Sequence, residues 1–457
     1  MFAELMCLLA QWRPAFERTR SFLRVASVLI GLACAIERRT VSKAVCLRGN
    51  QEQWSSDYRA FSRGKWSIEE IFTATLREAL AYYDSLVAKS APIIIAVDDT
   101  TTPNDGRTSL ASWHRDPLSP PFHMNLRHGL RFLHMTLLLP FREQGCDARA
   151  LSVLFELAPP LKKPGKKATE QERAQYRKAK KTHGVTHSAH AAIRRIRAAL
   201  DQMGYAGRAL LLVGDGGYTN KTLLKKPIPG VSYLGRTRKD LALCRPGTGR
   251  KIYGERLPTP EQLRQDESRP YQFAKAFFGG AWREVRFKDI KEENGLLWQR
   301  GAGRRRLRLI ILAPTPYQGP GRKRYYRDPA YLLTTDLTTA AEVLIQAYLD
   351  RWQIEVIHRE VKTTMGVGHA QVRNVHSITR LHSAYVAFCS MLLLASLRCF
   401  GPRRTSVFPP LPPWRRPRQN QRPSFADLCS LLRKQLEDAA SAQMAQDPQA
   451  SPQLEAA

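Results

Sequence analysis

Acidic side chains are scarce in this sequence, where 40 Asp and Glu stand against 72 Lys and Arg for a formal charge of +32. The cation excess recurs along most of the chain rather than in one tail. This excludes a merely basic appendage and points to a polyanionic partner, nucleic acid above all. Cysteine is thin as well. Eight residues, Cys7, Cys34, Cys46 and Cys389 among them, are scattered with no CxxC pair and no His-rich segment beside them. That excludes a zinc module and a disulfide framework, and reduced thiols suit a cytoplasmic protein. Long apolar runs are missing too: residues 28–36 and 384–397 are the longest, too short to cross a bilayer and better read as core helices. With Glu4 early and no basic leader, the N-terminus does not read as a signal peptide. There is no repeat at a fixed period, and neither an RNP-like aromatic motif nor a GXXG loop, so an RNA-binding role ranks last.

A chain of 457 residues predicts two or three structural units. Residues 1–85 are helical in pattern, with apolar residues three and four apart through 22–36 and Thr40 or Ser42 as a cap before a second helix. Arg38, Arg39 and Lys43 lie between those helices. The segment suits either a DNA-binding domain or a plain bundle, since no helix-turn-helix signature is present. From Pro92 the character changes. Residues 93–97 form a largely β-branched apolar run, the mark of a strand buried on both faces, and further strands are expected at 135–141 and 151–157. The basic stretch 162–181 cannot bury a core and reads as a loop or linker, either solvated or in contact with phosphates.

Helical spacing returns at 189–203. A short buried strand at 209–213 then stops in Gly214, Asp215, Gly216 and Gly217, and another strand is expected at 231–237. Residues 238–329 read as a β-rich insertion, with strands at 282–287 and 307–312. The main pattern resumes at 331–335, and a long helix runs from Ala340 to about Lys362. The predicted organisation is therefore a helical domain at 1–85, an α/β core at 86–237 and 330–400 split by the insertion, and a Pro/Arg-rich segment and tail at 401–457. That last part includes one amphipathic helix at 425–436 and a disordered final dozen residues.

Acids at strand ends are the chemically informative feature. Asp98 and Asp99 end one buried strand, Asp215 follows another, and Glu355 sits in the long helix. Charged groups rarely end apolar strands without a partner. Clustered carboxylates repel unless a cation holds them, and two Mg²⁺ ions roughly 3.5–4 Å apart would do so while activating phosphodiester chemistry. For any one of these acids, a turn, cap or ion-pair role is the alternative. On the helix, Tyr348, Arg351, Glu355 and Lys362 fall within an arc of about 60° at 100° per residue, one polar stripe. Leu349, Trp352, Ile354, Val356, Ile357 and Val361 around it predict an enclosed helix, in which Glu355 and its basic neighbours form either an ion-pair ladder or part of a metal site with phosphate-binding cations.

The stretch from Tyr348 to Lys362 resembles the YREK signature, Tyr-x2-Arg-x3-Glu-x6-Lys, of bacterial insertion-sequence transposases of the DDE class. Val97-Asp-Asp-Thr-Thr101 and Val213-Gly-Asp-Gly-Gly-Tyr218 resemble their first and second aspartate regions, in the same order. The resemblance covers residues 90–395. It implies an RNase H-like core and metal-dependent cleavage at element ends, followed by strand transfer into target DNA. Asp215 and Glu355 would be catalytic metal ligands, with Asp98 or Asp99 as the first ligand and Asp99 slightly favoured. Tyr348, Arg351 and Lys362 would lie near DNA. It further implies two Mg²⁺ ions, with Mn²⁺ as a substitute, double-stranded DNA bearing terminal inverted repeats, a homodimer on DNA, no membrane, and a cytoplasmic, nucleoid-associated location. The alternatives are an RNase H-like nuclease without transposition and a repurposed, non-catalytic DNA-binding protein.

Overall fold

The computed structural model describes residues 1–446 except 50, 105–107, 109, 116–118, 121, 318–322, 324, 371, 412 and 414–420, and the side chains up to 441. The expected disordered last dozen residues, and part of the Pro/Arg-rich segment, lie outside the described residues. The chain divides into two compact units, Met1–Ala79 with Arg359–Ala457, and Leu80–His358.

The first unit is helical. It contains α1 (Phe2–Ala10), α2 (Thr19–Cys34), α3 (Val41–Leu47), α4 (Trp54–Ser62) and most of α5 (Ile68–Asp84). Thr40 caps α3 as expected, its hydroxyl accepting from the Lys43 backbone N–H. Arg39, one of the cations placed between the helices, is not offered to a partner: it is buried, and its guanidinium donates to the Leu32 and Ala33 carbonyls at the end of α2. A buried carboxylate ties three parts of the unit together. Asp57 of α4 is fully buried and accepts from Arg24 of α2 at 3.0 Å and from Arg48, just after α3, at 3.1 Å.

The second unit begins in the last turn of α5. Its elements are β1 (Ile93–Pro103), β2 (Ser112–Arg115), β3 (Leu126–Leu139), β4 (Arg149–Leu157), α6 (Glu170–Lys180), α7 (Val185–Leu200), β5 (Leu210–Gly214), α8 (Lys221–Leu224), β6 (Val231–Arg236), β7 (Cys244–Pro246), β8 (Tyr253–Arg256), α9 (Pro260–Gln265), β9 (Gln272–Phe278), β10 (Ala281–Ile290), β11 (Arg308–Leu312), β12 (Pro316–Tyr317), β13 (Tyr325–Tyr326), β14 (Ala330–Thr334), α10 (Ala341–Asp350) and α11 (Trp352–Arg359). One ten-stranded sheet runs β2-β3-β1-β5-β6-β14-β11-β10-β9, with β4 also on β3. β1 pairs parallel with β5 and β5 parallel with β6, while β3 is antiparallel to both β1 and β4. This mixed sheet flanked by helices is the expected α/β, RNase H-like fold.

Three expectations change. Residues 238–329 are β-rich, but β9, β10 and β11 form no sheet of their own; they extend the central sheet antiparallel from β14. Edge strands with open N–H and C=O groups are templates for such continuation. The stretch 162–181 is not simply a loop, because α6 occupies most of it. Its start is a capping box in which the Thr169 hydroxyl accepts from the Glu172 N–H and the Glu172 carboxylate from the Thr169 N–H. The apolar run 384–397 belongs to a longer helix, α12 (Val375–Phe400), which returns the chain to the first unit before α13 (Phe425–Gln446). At 26 residues α12 is long and apolar enough to cross a bilayer, yet it is a core helix packed against α1, α2, α4 and α13, with 83% of its most apolar window buried.

Helix α10 is anchored on the sheet and positions α11 behind it. Leu344, Ile345 and Ala347 pack with Leu211 and Val213 of β5, Leu234 of β6, Leu332 of β14 and Ile310 of β11. Gln346 docks like one more strand residue on the edge strand β9: its side chain accepts from the Phe277 N–H at 2.8 Å and donates to the Phe277 carbonyl at 2.9 Å. A buried amide satisfied at both ends sets the position of α10, and so of the helix that carries Glu355.

Candidate active site

The parallel pairing of β1 with β5 brings Val97 opposite Gly214, so that Asp98 and Asp215 follow at neighbouring strand positions. β5 ends there because Asp215 turns the chain. Its Oδ1 accepts from the Gly217 N–H at 2.8 Å and the Tyr218 N–H at 3.3 Å, an Asx-type turn. Beneath this turn the backbone runs very close to its neighbours. A Cβ at Gly235 would stand 2.4 Å from Thr219 Oγ1 and 2.5 Å from the Tyr233 hydroxyl, and one at Gly214 would stand 2.9 Å from that hydroxyl and from Tyr218 Cβ. Gly235→Ala is expected to cost about 1–3 kcal/mol by overpacking under the Asp215 turn, read as a lower melting temperature. An unchanged melting temperature would show that the turn gives way freely.

Successive strand residues face opposite ways, and this separates the two adjacent aspartates. Asp99 is engaged: its Oδ2 accepts from Arg131 Nε at 2.7 Å and its Oδ1 from the buried Tyr218 hydroxyl at 3.0 Å. Burial and the nearby Asp99 and Asp98 charges push the Tyr218 phenol well above its ordinary pKa. Asp98 looks toward α11. His358 Nδ1 lies 4.0 Å from Asp98 Oδ2, and His134, directly across the strand pair from Asp98, packs against His358 with ring centroids 4.9 Å apart and the planes tilted by 31°. His134 is itself fully buried and bonded through Nε2 to Ser152 Oγ at 2.8 Å. Burial, reinforced by the charges of Asp215 and Asp99, raises the Asp98 carboxyl to about 7 against the opposing pull of the Asp99 N–H and Arg351.

The remaining residues predicted from sequence divide. Arg351 and Glu355 meet, Nη2 donating to Oε1 at 2.8 Å, as the i, i+4 spacing requires. Arg351 keeps Nε and Nη1 buried without a hydrogen-bond partner among the described residues, a guanidinium with donors to spare. Tyr348, near the end of α10, packs against the hydrophobic core. Trp352, expected to be enclosed, is 58% exposed. The stripe to Lys362 assumes a uniformly wound helix, and the winding here is not uniform. α10 ends at Asp350, the Ile354 N–H reaches back only to Arg351, and Glu360–Thr364 is wound as a π-helix whose last bond runs from Met365 to Glu360. Lys362 belongs to the helical unit, and Tyr348, Arg351 and Glu355 to the other.

Sequence reading missed His358, His134, Arg131 and Tyr218. The i, i+3 spacing of Glu355 and His358 was a usable signal, because it puts both on one helix face; the other three are defined by tertiary contacts. No group of three Asp, Glu, His or Cys side chains among the described residues forms a ready cluster for a metal. The acids nonetheless suit a hard cation. Asp98 is desolvated next to like-charged Asp215, and a carboxylate so crowded stays ionised most readily with a cation bound.

β1 and β5 thus end in aspartates on adjacent parallel strands of an RNase H-like sheet. The family model described as "DDE superfamily endonuclease" matches residues 13–289, more than half of the chain, and the protein belongs to that superfamily. A second model, described as "Archaeal putative transposase ISC1217", matches residues 322–399, which include α10, α11 and Glu355. No curated protein matches the chain.

Proposed function

We propose that this protein is a DNA transposase. It would cut DNA at the terminal inverted repeats of its element and join the 3′ ends to target DNA, acting as a DNA-bound homodimer in the cytoplasm at the nucleoid. The observation that carries the reading is the crowding of Asp98 against Asp215 in a chain of an endonuclease superfamily, with His358, on the helix that also carries Glu355, 4.0 Å from Asp98. Asp98, Asp215 and Glu355 would hold two Mg²⁺ ions, with Mn²⁺ as a substitute. When bound, the ions supply Lewis-acid polarisation of the phosphodiester and of its nucleophile. Geometry favours Asp98 over Asp99 as the first ligand, since the Asp99 carboxylate is already committed to Arg131 and Tyr218.

The protein's own groups have distinct tasks. Asp99, Arg131 and Tyr218 brace the end of β1 against the Asp215 turn. Arg351 orients Glu355 through Nη2, and its charge beside Asp98 favours the ionised carboxylate there. His358 and His134 close the Asp98 side to bulk water. Lys362 and Tyr348 stand as DNA-contacting residues on the strength of the signature alone.

The test is nicking of DNA that carries the gene's flanking repeats, with Mg²⁺, by wild type, Asp215→Ala and Glu355→Ala. Cleavage at the repeat ends by wild type alone, with all three proteins binding DNA equally, is the expected result. Cleavage that survives both substitutions removes the site assignment. Specific binding without cleavage by any form supports the repurposed binding protein instead, and cleavage without strand transfer supports a plain nuclease.

A further inference from the structure

Helix α6 is unusual in its unit because it buries nothing, and every residue of it is exposed or half-exposed. An 11-residue helix is marginal in water by itself, and here no apolar face supplies packing energy. Its setting is strongly cationic: residues 162–181 hold nine Lys and Arg and two Glu. Both acids are occupied at the start of the helix, Glu172 in the capping box and Glu170 in an ion pair with Arg177. They leave Arg173, Lys178, Lys180 and Lys181, of which Arg173, Lys180 and Lys181 together with Arg177 span an arc of about 100° on one face. Arg173 also holds the preceding loop, donating to the Lys166 carbonyl at 2.9 Å, and that loop carries Lys162, Lys163, Lys166 and Lys167.

We propose that α6 and the loop before it form an arm that lies along the phosphate backbone of duplex DNA, with Arg173, Lys180 and Lys181 as direct phosphate contacts. Charge complementarity identifies the occupant: a helix with no apolar stripe and one face of cations has nothing to offer an apolar groove and much to offer a polyanion. Its length of about 16 Å matches the axial rise of roughly five base pairs. No base-reading role is assigned, because the cationic face consists of long flexible side chains suited to phosphate oxygens. The arm rests on the reading of the protein as one that acts on DNA, and it adds a contact region beyond the carboxylate site. It leaves β4, which pairs with β3, and returns into α7.

The experiment is fluorescence anisotropy of a 30-base-pair duplex with the full chain in EDTA, titrated between 50 and 200 mM NaCl. Wild type is compared with the triple variant Arg173→Gln, Lys180→Gln, Lys181→Gln, and with a control that neutralises three exposed cations elsewhere, Lys239→Gln, Arg250→Gln, Lys251→Gln. Gln keeps helix propensity close to that of Arg and Lys, and the altered side chains are exposed, the Arg173 bond to the Lys166 carbonyl being the one contact the variant gives up. Losing three phosphate contacts is expected to flatten the slope of log K against log salt by about 2.7, so that wild type weakens about 40-fold more than the variant across that range. The control is expected to change the slope by less than about 1. An unchanged slope in the arm variant overturns the proposal, and so does an equal flattening in the control, since that marks general charge rather than contact. Wild type that binds no duplex at all would count against the DNA-acting reading itself, a result separable from both.

Discussion

Asp98→Asn is expected to abolish metal-dependent nicking, by roughly 10³-fold or more, while making the metal-free protein more stable at pH 8. The two effects share one cause. The Asp98 carboxyl is held at about 7 in the folded protein, above its ordinary 3.8, so the fold binds that proton more tightly than the unfolded chain does. Stability therefore falls as pH rises from about 4 to about 7, and above that the full penalty of an ionised, crowded carboxylate is present. Asn carries no such penalty. Because Asp98 retains some exposure, the gain should be on the order of 1–3 kcal/mol at pH 8 and close to nothing at pH 4. Thermal melts in EDTA at both pH values measure it, and an equal gain at the two would refute the titration argument. Added Mg²⁺ should reverse the order at pH 8 by stabilising wild type alone. Asp99→Asn should do the opposite. It breaks the contact with Arg131 and perturbs that with Tyr218, costing about 1–3 kcal/mol, while nicking falls less than about tenfold. Exchanged phenotypes would make Asp99 the ligand.

Asp57→Ala is expected to be the most damaging single change in the helical unit, at about 3–5 kcal/mol. The carboxylate is fully buried and shared by two arginines that are themselves mostly buried, Arg24 and Arg48. Removing it leaves two largely buried guanidinium charges without their counter-ion. Replacing all three residues by apolar ones of similar volume should cost far less, since it removes the stranded charge along with the pair. Denaturant unfolding of the two variants compares these outcomes. A loss under about 1 kcal/mol in Asp57→Ala would mean that water reaches the site and the pair is effectively a surface one.

The central strands were legible because their chemistry is local. Residues 93–97 and 210–213 are continuous apolar runs, which suit a strand covered on both faces, and the Asp-Gly-Gly turn after the second punctuates it. The carboxylates were legible because an acid at the end of such a strand stands out. Partnership, by contrast, is not a local property. Nothing local tells that β9, β10 and β11 continue the main sheet, since edge pairing depends on which backbone groups stay open. The choice between Asp98 and Asp99 turns on Arg131 and Tyr218, residues 32 and 119 positions away in the chain. The stripe through Lys362 rests on uniform helical winding, which the π-helical segment does not keep. The stretch 162–181 was misjudged because composition outweighed a four-residue capping box.

The two-unit division also has a consequence for synthesis. The helical unit is assembled from both ends of the chain, with the whole of Leu80–His358 between its halves. At about 5–20 residues per second a ribosome needs roughly 14–56 s to pass from one half to the other. During that time α1 and α2 have emerged without α12, the helix that buries the core they share. The sheet can close meanwhile, its strands all lying in the intervening stretch. Nascent chains stalled before α12 should therefore show a protease-resistant sheet attached to a protease-sensitive N-terminal segment.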